Sequence, residues 1–205
     1  MAVGQELGLQ KVAEADFPSR FGNFRIFGFE ARNGVSIDEA VVLVMGDPAG
    51  EPPPLVRIHS QCLTGDVFHS LRCDCRAQLE FSLALIADER RGILIYEHKE
   101  GRGIGLLNKL RAYALQDGGA DTVEANEILG FRADLRDYSL PAEILRHFGL
   151  GKVRLISNNP DKIHALERAG IHVAERVPCQ VPHTVTAGEY LRTKKEKMGH
   201  LLEGF

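Results

Sequence analysis

Three cysteines stand close together in the chain, because Cys62, Cys73 and Cys75 all fall within fourteen residues. Thiolates grouped this tightly suit zinc, which favours soft sulfur ligands in a tetrahedral arrangement. Three protein ligands leave one coordination position for water, which is the arrangement of a catalytic rather than a structural zinc. The spacing is not that of a zinc finger. We therefore predict a metal site here, with small buried thiols as the alternative.

Two further residues bear on this cluster. His59 stands at the end of a predicted strand, where it could supply a fourth metal ligand or contact a substrate. Cys179 lies far along the chain beside Pro178 and is most simply a small buried residue. The sequence leaves both possibilities for His59 open.

Two predicted strand-to-helix junctions have residues suited to phosphate. In residues 100–105 the glycines allow close backbone approach, and Arg102 offers a bidentate donor. The spacing is neither a dinucleotide fingerprint nor a Walker A loop, so an ordinary tight turn is the alternative. At the second junction Asn159 and Pro160 predict a helix start. Lys162 in its first turn opposes the helix dipole unless an anion lies nearby, which favours a phosphate site.

Two charged segments have less specific patterns. Asp134 and Arg136 stand two positions apart and share a face if the segment is extended, where a solvated ion pair is the default interpretation. Residues 192–197 are strongly basic. We predict that they form a solvated face of a C-terminal helix.

The composition excludes several classes of function. The chain has 205 residues, of which 44% are hydrophobic and 26% charged, as in globular proteins, and a formal charge of −3. A chain so near neutrality has no general field for nucleic acid, so any phosphate must be met by a local site. No apolar run approaches the roughly 20 residues of a membrane span, and the opening residues show no secretory signal. We expect a cytoplasmic protein with reduced cysteines and no nucleic-acid or membrane partner.

The elements that must position these residues change character along the chain. The opening third reads as an antiparallel meander, and after Cys75 strands alternate with helices, which indicates βαβ units and a partly parallel sheet. The predicted fold class is α/β, in the mixed α+β sense, as a single compact domain over residues 1–205. The predicted strands are residues 24–29, 39–45, 55–59, 93–96, 153–156 and 171–177, and the predicted helices are residues 79–87 (ended by Gly92), 106–115 and 161–169, with 189–205 as a C-terminal helix and tail.

Several of these stretches, taken in order, resemble the GTP cyclohydrolase II family. The resemblance runs from about residue 10 to residue 202 without a large gap. Its specificity lies in the ordered set of motifs rather than in any one of them. The motifs are HSQCLTGD (59–66), SLRCDC (70–75), EGRGIGL (100–106), DTVEAN (121–126), LGF (129–131), DLRDY (134–138) and SNNP (157–160), together with Asn108, Lys109 and Lys162.

The resemblance implies an activity. Members of this family convert GTP to 2,5-diamino-6-ribosylamino-4(3H)-pyrimidinone 5′-phosphate, formate and pyrophosphate in the first step of riboflavin synthesis. They use Zn²⁺, one per subunit, and Mg²⁺ with the triphosphate, and they are typically homodimers. The resemblance thus implies that residues 1–205 form one GTP cyclohydrolase II-like domain.

The resemblance also implies roles for individual residues. Asp134 matches the family's proton acceptor, Arg136 its proposed nucleophile and Tyr113 an active-site tyrosine. Because arginine is protonated in essentially every protein environment, a clamp on the α-phosphate is the alternative role for Arg136. The implied zinc ligands are Cys62, Cys73 and Cys75, and the implied GTP contacts are Arg57, Ile58, His59, Ser60, Gln61, Gln78, Glu100, Gly101, Arg102, Thr122, Ser157 and Lys162.

The chain departs from the family pattern at three positions. Gln61 stands where the family has Glu, so an amide replaces a carboxylate beside a zinc ligand. Arg76 stands where Gly is usual, and His69 stands at a commonly small position. Two alternatives therefore accompany the full reaction: a partial reaction that retains the formyl group, and a non-catalytic zinc-binding nucleotide module.

Overall fold

A seven-stranded sheet forms the centre of the molecule. Its strands, numbered β1 to β7 along the chain with the ranges given below, lie side by side in the order β1-β2-β3-β5-β4-β6-β7. This is a computed structural model, and it describes residues 8–33, 36–131, 136–182 and 185–202. The first three strands form an antiparallel meander, of which the sequence predicted the second and third strands, and β3 pairs antiparallel with β5. These strands are β1 (Gly8–Ser19), which the sequence pattern did not predict, β2 (Gly22–Asn33) and β3 (Ser36–Met45).

The other half of the sheet is parallel. Strand β4 was expected to continue the meander, but it pairs in parallel with both β5 and β6, so that expectation is wrong. The physical reason is a crossover: the chain leaves β4, returns through a helix and adds β5 between β3 and β4. The four strands are β4 (Leu55–Ser60), β5 (Gly92–Glu97), β6 (Lys152–Ile156) and β7 (His172–Val177).

Seven helices accompany the described strands. The helix after Cys75 ends at Glu89, three residues before the predicted stop, because Arg90 adopts a left-handed conformation and Gly92 already begins β5. The sequence pattern predicted neither α4 nor α5. The helices are α1 (Leu63–Asp66), α2 (Cys75–Glu89), α3 (Leu106–Asp117), α4 (Thr122–Ile128), α5 (Ser139–His147), α6 (Pro160–Arg168) and α7 (Val185–Met198), with a 3₁₀ turn at Glu100–Gly103.

The hydrophobic core has two parts, one on each face of the sheet. On β4, Val56 and Ile58 face the larger part, which α5 and α6 cover, whereas Leu55 faces the smaller part with Ile86 of α2. The same alternation brings polar residues to the α2 face at the end of the strand, where Arg57 and His59 follow Leu55 at two-residue steps. None of the described helices is both long and apolar enough to pass through a membrane.

Candidate active site

One large cavity opens at the carboxyl ends of the parallel strands β4, β5 and β6. Its volume is about 440 Å³, within the range of small-molecule sites. The carboxyl edge of a parallel sheet is the usual position for such a site, because loops from neighbouring strands converge there. The cavity is lined by Arg57, His59, Ser60, Gln61, Cys62, Arg72, Cys73, Cys75, Gln78, Lys99, Glu100, Gly101, Arg102, Lys109, Ala112, Tyr113, Gln116, Asp117, Ala120, Asp121, Asn126, Arg136, Ser157, Asn158, Asn159, Lys162, Thr193, Lys194 and His200.

Three thiols form what we call the sulfur end of this cavity: Cys62, Cys73 and Cys75. Their sulfur atoms all lie within 4.8 Å of one another, and those of Cys62 and Cys73 are 3.7 Å apart. Cys62 immediately precedes α1 and Cys75 begins α2, so two helix starts fix the sulfurs. Gly65 leaves them room, because a Cβ there would meet the Cys73 sulfur at 2.9 Å and the Cys62 sulfur at 3.1 Å. The donor set and its spacing fit a thiophilic metal ion.

Lys109 of α3 ties the sulfur end to the neighbouring loop. Its Nζ donates to Cys62 Sγ at 3.1 Å, to Thr64 Oγ1 at 2.9 Å and to Glu100 Oε1 at 2.7 Å. Thr64 Oγ1 in turn lies 3.1 Å from the hydroxyl of Tyr113. Although burial opposes the charge, the Cys62 thiolate and Glu100 raise the pKa of Lys109, so the ammonium stays charged. A cation held on a thiolate offsets the negative charge of a three-sulfur site.

Hydrogen bonds among the three thiols shift their pKa values in different directions. The thiols of Cys73 and Cys75, together with Lys109, lower the pKa of Cys62. The same contact with Cys62 raises the pKa of Cys73 to about 11, and it raises that of Cys75 as well. One thiolate, Cys62, is therefore the first to form, and a cation binding the cluster displaces protons from the other two.

Asp66 holds the loop that follows β4. It accepts hydrogen bonds from the Cys62 backbone N–H at 3.0 Å and from the Tyr96 hydroxyl at 2.7 Å. His59 Nε2 lies 3.2 Å from the Asp66 carboxylate, and burial lowers the pKa of His59, which keeps its ring neutral. His59 thus donates to Asp66. Among the described residues, the group able to hold a metal comprises the three cysteines without His59.

A buried chain of polar side chains links β4 to the loop between two of the cysteines. Arg57 donates to the Ile156 carbonyl at 3.1 Å and to Gln78 Oε1 at 2.6 Å. Gln78 then donates through Nε2 to Asp74 Oδ2 at 2.5 Å. Because Arg57 and Gln78 anchor each other, both present fixed hydrogen-bonding groups to the cavity.

Three further cations line the cavity at what we call the cationic end: Arg102, Arg136 and Lys162. Arg136 donates to Ser60 Oγ at 3.3 Å, and Lys162 Nζ donates to the Ile58 carbonyl at 2.7 Å. Arg102 has φ +62°, a left-handed conformation that costs an L-residue about 1–2 kcal/mol. Burial and the neighbouring cations lower the pKa of Lys162. These groups are strained or crowded together, as in a site built for an anion.

Glu97 lies beneath this end of the cavity. It is the last residue of β5 and is 1% exposed, and neither carboxylate oxygen has a hydrogen-bond partner among the described residues. Lys99 Nζ lies 3.7 Å from Glu97 Oε1, and the Gln61 backbone N–H donates to the Glu97 carbonyl at 2.8 Å. Burial raises the pKa of Glu97, and the cations Lys99, Lys162 and Arg136 act in the opposite direction. The acidic side chain of Glu97 thus belongs to a residue whose backbone pairs directly with that of Gln61.

The comparison with protein families decides how this cavity is classified. The family model described as GTP cyclohydrolase II matches residues 10–178. The chain belongs to the GTP cyclohydrolase II family. This confirms the resemblance in the sequence motifs. GTP cyclohydrolase-2 proteins of Escherichia coli O9:H4 (strain HS) and of E. coli strain K12/DH10B are each 54% identical over 194 residues, covering 95% of this chain and 98% of theirs.

A likeness was also found among solved structures. A two-domain 3,4-dihydroxy-2-butanone 4-phosphate synthase from A. baumannii, RibBX, aligns with a TM-score of 0.47 and 17% identity. The alignment covers 85% of this chain and 40% of that one.

Most of the GTP cyclohydrolase II positions named from the sequence meet in the one cavity. Ile58 differs, since it lies under the wall and contributes its carbonyl to Lys162. Thr122 begins α4, and its side chain lies outside the described structure, as does the whole of Asp134. The named residues that line the cavity are Arg57, His59, Ser60, Gln61, Cys62, Cys73, Cys75, Gln78, Glu100, Gly101, Arg102, Tyr113, Arg136, Ser157 and Lys162.

The expectation of a solvated basic face on the C-terminal helix is wrong for Lys194. Its side chain is only 11% exposed, and its Nζ lies 3.8 Å from Asp74 Oδ1. Asp74 lies in residues 73–75, which we call the cysteine loop. A basic run on a helix gives no local signal of which residue turns inward, because the neighbour that covers it comes from a distant segment.

The sequence did not reveal the roles of some other site residues, because their partners are distant in sequence. Asp66 and Lys109 are within the recognised motifs, yet only the fold reveals what they hold. The chain also accommodates a departure from the family: Arg76 donates to the Asp66 carbonyl at 2.7 Å and braces the cysteine loop. Asn126 is buried at 3% exposure against the cavity, with no sequence signal beyond its motif.

Proposed function

We propose that this protein hydrolyses GTP to 2,5-diamino-6-ribosylamino-4(3H)-pyrimidinone 5′-phosphate, formate and pyrophosphate. One observation carries the proposal: a single cavity is lined both by three clustered thiols and by a group of three cations. The reaction needs both, because hydroxide must attack carbon 8 of the guanine while a charged triphosphate is held and pyrophosphate leaves. Membership of the GTP cyclohydrolase II family supports the same reaction.

Cys62, Cys73 and Cys75 would hold Zn²⁺, one ion per subunit. Zinc bound there would lower the pKa of a water molecule to roughly 7 and so supply hydroxide at neutral pH. Mg²⁺ would enter with the triphosphate and neutralise part of its charge. We assign no side chain to Mg²⁺.

The remaining lining residues would bind and orient GTP. Arg102 and Lys162 at the cationic end would hold the phosphates, because guanidinium and ammonium groups make strong charge-assisted hydrogen bonds to phosphate. The anchored pair Arg57 and Gln78 offers directional donors and acceptors for the base or ribose. The further GTP contacts would be Ile58, His59, Ser60, Gln61, Glu100, Gly101, Thr122 and Ser157.

Tyr113 would act as a proton donor. Burial raises the pKa of Tyr113, so its hydroxyl keeps its proton at neutral pH. The hydroxyl is also held 3.1 Å from Thr64 Oγ1, beside Cys62. A protonated phenol at the sulfur end can donate to a ring nitrogen as the imidazole opens, whereas it cannot accept a proton from water.

Arg136 would hold the α-phosphate while water attacks, with Asp134 as the proton acceptor. A guanidinium retains its proton, which makes it a good clamp and a poor nucleophile. The competing role is a covalent guanylyl adduct on Arg136. A single turnover with α-labelled GTP, quenched in denaturant, distinguishes them: we expect no label on the protein, and a labelled Arg136 peptide would overturn the clamp.

The test of the reaction is to measure three products together. We expect the protein, supplied with Zn²⁺ and Mg²⁺, to release formate and pyrophosphate from GTP in equal amounts with the pyrimidine chromophore. Gln61 motivates a partial reaction, which would give pyrophosphate without formate. A non-catalytic nucleotide module would bind zinc and GTP and give neither product.

We also propose that the protein is a cytoplasmic homodimer. The exposed apolar side chains Val67, Phe68 and Leu71 beside the cysteine loop, and Leu107 and Leu110 on α3, support a covered surface. The free state of all four cysteines supports a reducing compartment. Sedimentation should give twice the chain mass, and Phe68→Asp should shift it toward the monomer. Cell fractionation should recover the protein with soluble cytoplasmic markers.

A further inference from the structure

The C-terminal segment is built into the wall of the cavity. Three of its residues, Thr193, Lys194 and His200, line the cavity. The segment comprises α7 and the residues that follow it, up to Leu202. None of the GTP cyclohydrolase II motifs in this chain lies in the segment.

Contacts with three separate segments fix this part of the chain. Lys194 Nζ lies 3.8 Å from Oδ1 of the buried Asp74, and the Lys194 side chain is only 11% exposed. The Leu201 backbone N–H donates to the Asn158 carbonyl at 2.9 Å, and Leu202 is buried. Lys197 bonds to Asp121, the capping residue of α4. The segment is therefore docked against the cysteine loop, the turn before α6 and the start of α4.

The docked segment adds positive charge where cations already gather. His200 is largely buried, and burial together with Lys194, Arg136, Arg102 and Lys162 lowers its pKa to about 2. Burial is the largest of these causes, and the four cations come from four different segments of the chain. Cations that line one cavity together suit an anionic partner, because its charge offsets their mutual repulsion.

The balance of charge in the cavity indicates what the partner is. The lining has eight lysine and arginine side chains against three carboxylates, although the whole chain carries a net charge of −3. This local surplus of positive charge is opposite in sign to the net charge of the chain, so it favours the binding of a polyanion. The cations are Arg57, Arg72, Lys99, Arg102, Lys109, Arg136, Lys162 and Lys194, and the carboxylates are Glu100, Asp117 and Asp121.

We infer that the C-terminal segment completes the polyphosphate site, with Lys194 and His200 contacting the phosphate chain together with Arg102, Arg136 and Lys162. This inference rests on the proposed function, since it takes GTP as the substrate. Lys194 supplies a charged donor and His200 a neutral N–H donor to the phosphates. The polyphosphate thereby receives contacts from the C-terminal segment as well.

The test uses the zinc-loaded full chain and two probes, inorganic pyrophosphate and guanosine, with the KM for GTP measured in parallel. Lys194→Ala and His200→Ala should each weaken pyrophosphate binding and raise the KM by about fivefold or more, because each loses a hydrogen bond to a charged group. Guanosine binding should be unchanged. Lys194→Arg should restore most of the loss. Arg192→Ala removes an exposed cation from the same helix and should behave as wild type.

Two results would overturn the inference. One is wild-type pyrophosphate binding in both Lys194→Ala and His200→Ala. The other is an equal loss of guanosine and pyrophosphate binding, which indicates a general disturbance of the cavity. Failure of the proposed function has a different signature, because the wild-type protein would then release no formate from GTP whatever the variants bind.

Discussion

The two ends of the cavity are organised in opposite ways. At the sulfur end the polar groups satisfy one another: Lys109 donates to three acceptors, and Asp66 accepts from three donors. At the cationic end cations face cations, and one buried donor beside Lys162, Asn159 Nδ2, has no hydrogen-bond partner among the described residues. The sulfur end is therefore held largely by hydrogen bonds within the protein, with Asp74 Oδ1 as an exception among the described residues, whereas the cationic end brings like charges together.

This difference follows from what each end would bind. A metal ion that stays with the protein favours a rigid site, because fixed ligands and fixed neighbours keep its affinity high. A substrate that arrives and leaves in each cycle favours a site whose unsatisfied charge its own charge relieves. Such a site costs folding free energy in the absence of substrate, as functional sites commonly do.

The largest expected effect comes from removing a sulfur. Cys73→Ser should reduce formate release by about a thousandfold, since the metal supplies several kcal/mol of transition-state stabilisation, while GTP binding at the other end persists. Zinc content and formate release are the measurements. Cys179→Ser is the matched control and should keep its zinc, because Cys179 lies outside the cluster. Formate release from Cys73→Ser at the wild-type rate would disprove the metal assignment.

Removing a cation from the cationic end should weaken GTP binding much more than it destabilises the fold. Lys162→Met should lower GTP affinity by about 10–100-fold, as hydrogen bonds to charged groups are worth about 1.5–3 kcal/mol. The unfolding free energy should change little, since burial and neighbouring cations already disfavour the charged lysine. Titration with GTP and urea unfolding measure the two quantities. Unchanged GTP affinity and turnover would mean that Lys162 is not a phosphate contact.

The equivalent change at the sulfur end should have the opposite signature. Lys109→Met should lower zinc affinity about tenfold, as loss of a neighbour to a metal ligand does, and should also destabilise the fold by leaving Glu100 without its ion pair. Zinc competition with a chromophoric chelator measures the first effect and urea unfolding the second. Arg111→Met, an exposed cation on the same helix, is the control. If Lys109→Met were as stable as this control, the contrast between the two ends would be wrong.

Filling the space beside the sulfur atoms should have a smaller effect. Gly65→Ala should cost about 1–3 kcal/mol of stability, because the added methyl group would meet two sulfur atoms at 2.9 and 3.1 Å. Zinc affinity should fall with it. Gly151→Ala adds a methyl group into open space and serves as the matched variant. Equal unfolding free energies for the two variants would show that the cluster can expand at no cost.

The smallest effect is a pH dependence at the cationic end. The pKa of His200 is lowered to about 2 in the folded protein from an ordinary value of 6.5, so below pH 6.5 the unfolded chain binds a proton that the folded one does not. Stability should therefore fall as pH falls below 6.5, by at most about 1.4 kcal/mol per pH unit from this group, and the contribution is absent above that pH.

Unfolding in urea between pH 7 and 5.5 checks this dependence. His200→Gln should flatten the slope, whereas the exposed His98→Gln should follow the wild type. Saturating pyrophosphate should also flatten the wild-type slope, because bound anions favour a protonated His200. Parallel slopes for His200→Gln and wild type would contradict the convergence of cations on this residue.

Local patterns in the sequence were sufficient for much of the fold. Strict spacing and caps act over a few residues, so the start of α6 at Asn159 and Pro160 and most of the strands could be predicted. The pairing of β4 could not, since a strand pattern does not reveal which strand will lie beside it. Strand β1 was missed because its residues are mostly exposed and lack the apolar alternation of a core strand.

The sequence alone determined the chemical types in the site: three thiols near one another, a glycine loop with Arg102, and an ordered set of motifs that identified the family. The tertiary structure alone decided which distant residues join them. Lys109 reaches Cys62 across 47 positions, and Lys194 reaches the cysteine loop from the far end of the chain. The physical reason is that the spacing of the thiols is a local property of a short stretch of chain. The balance of charge in a cavity instead depends on which distant segments the sheet brings together.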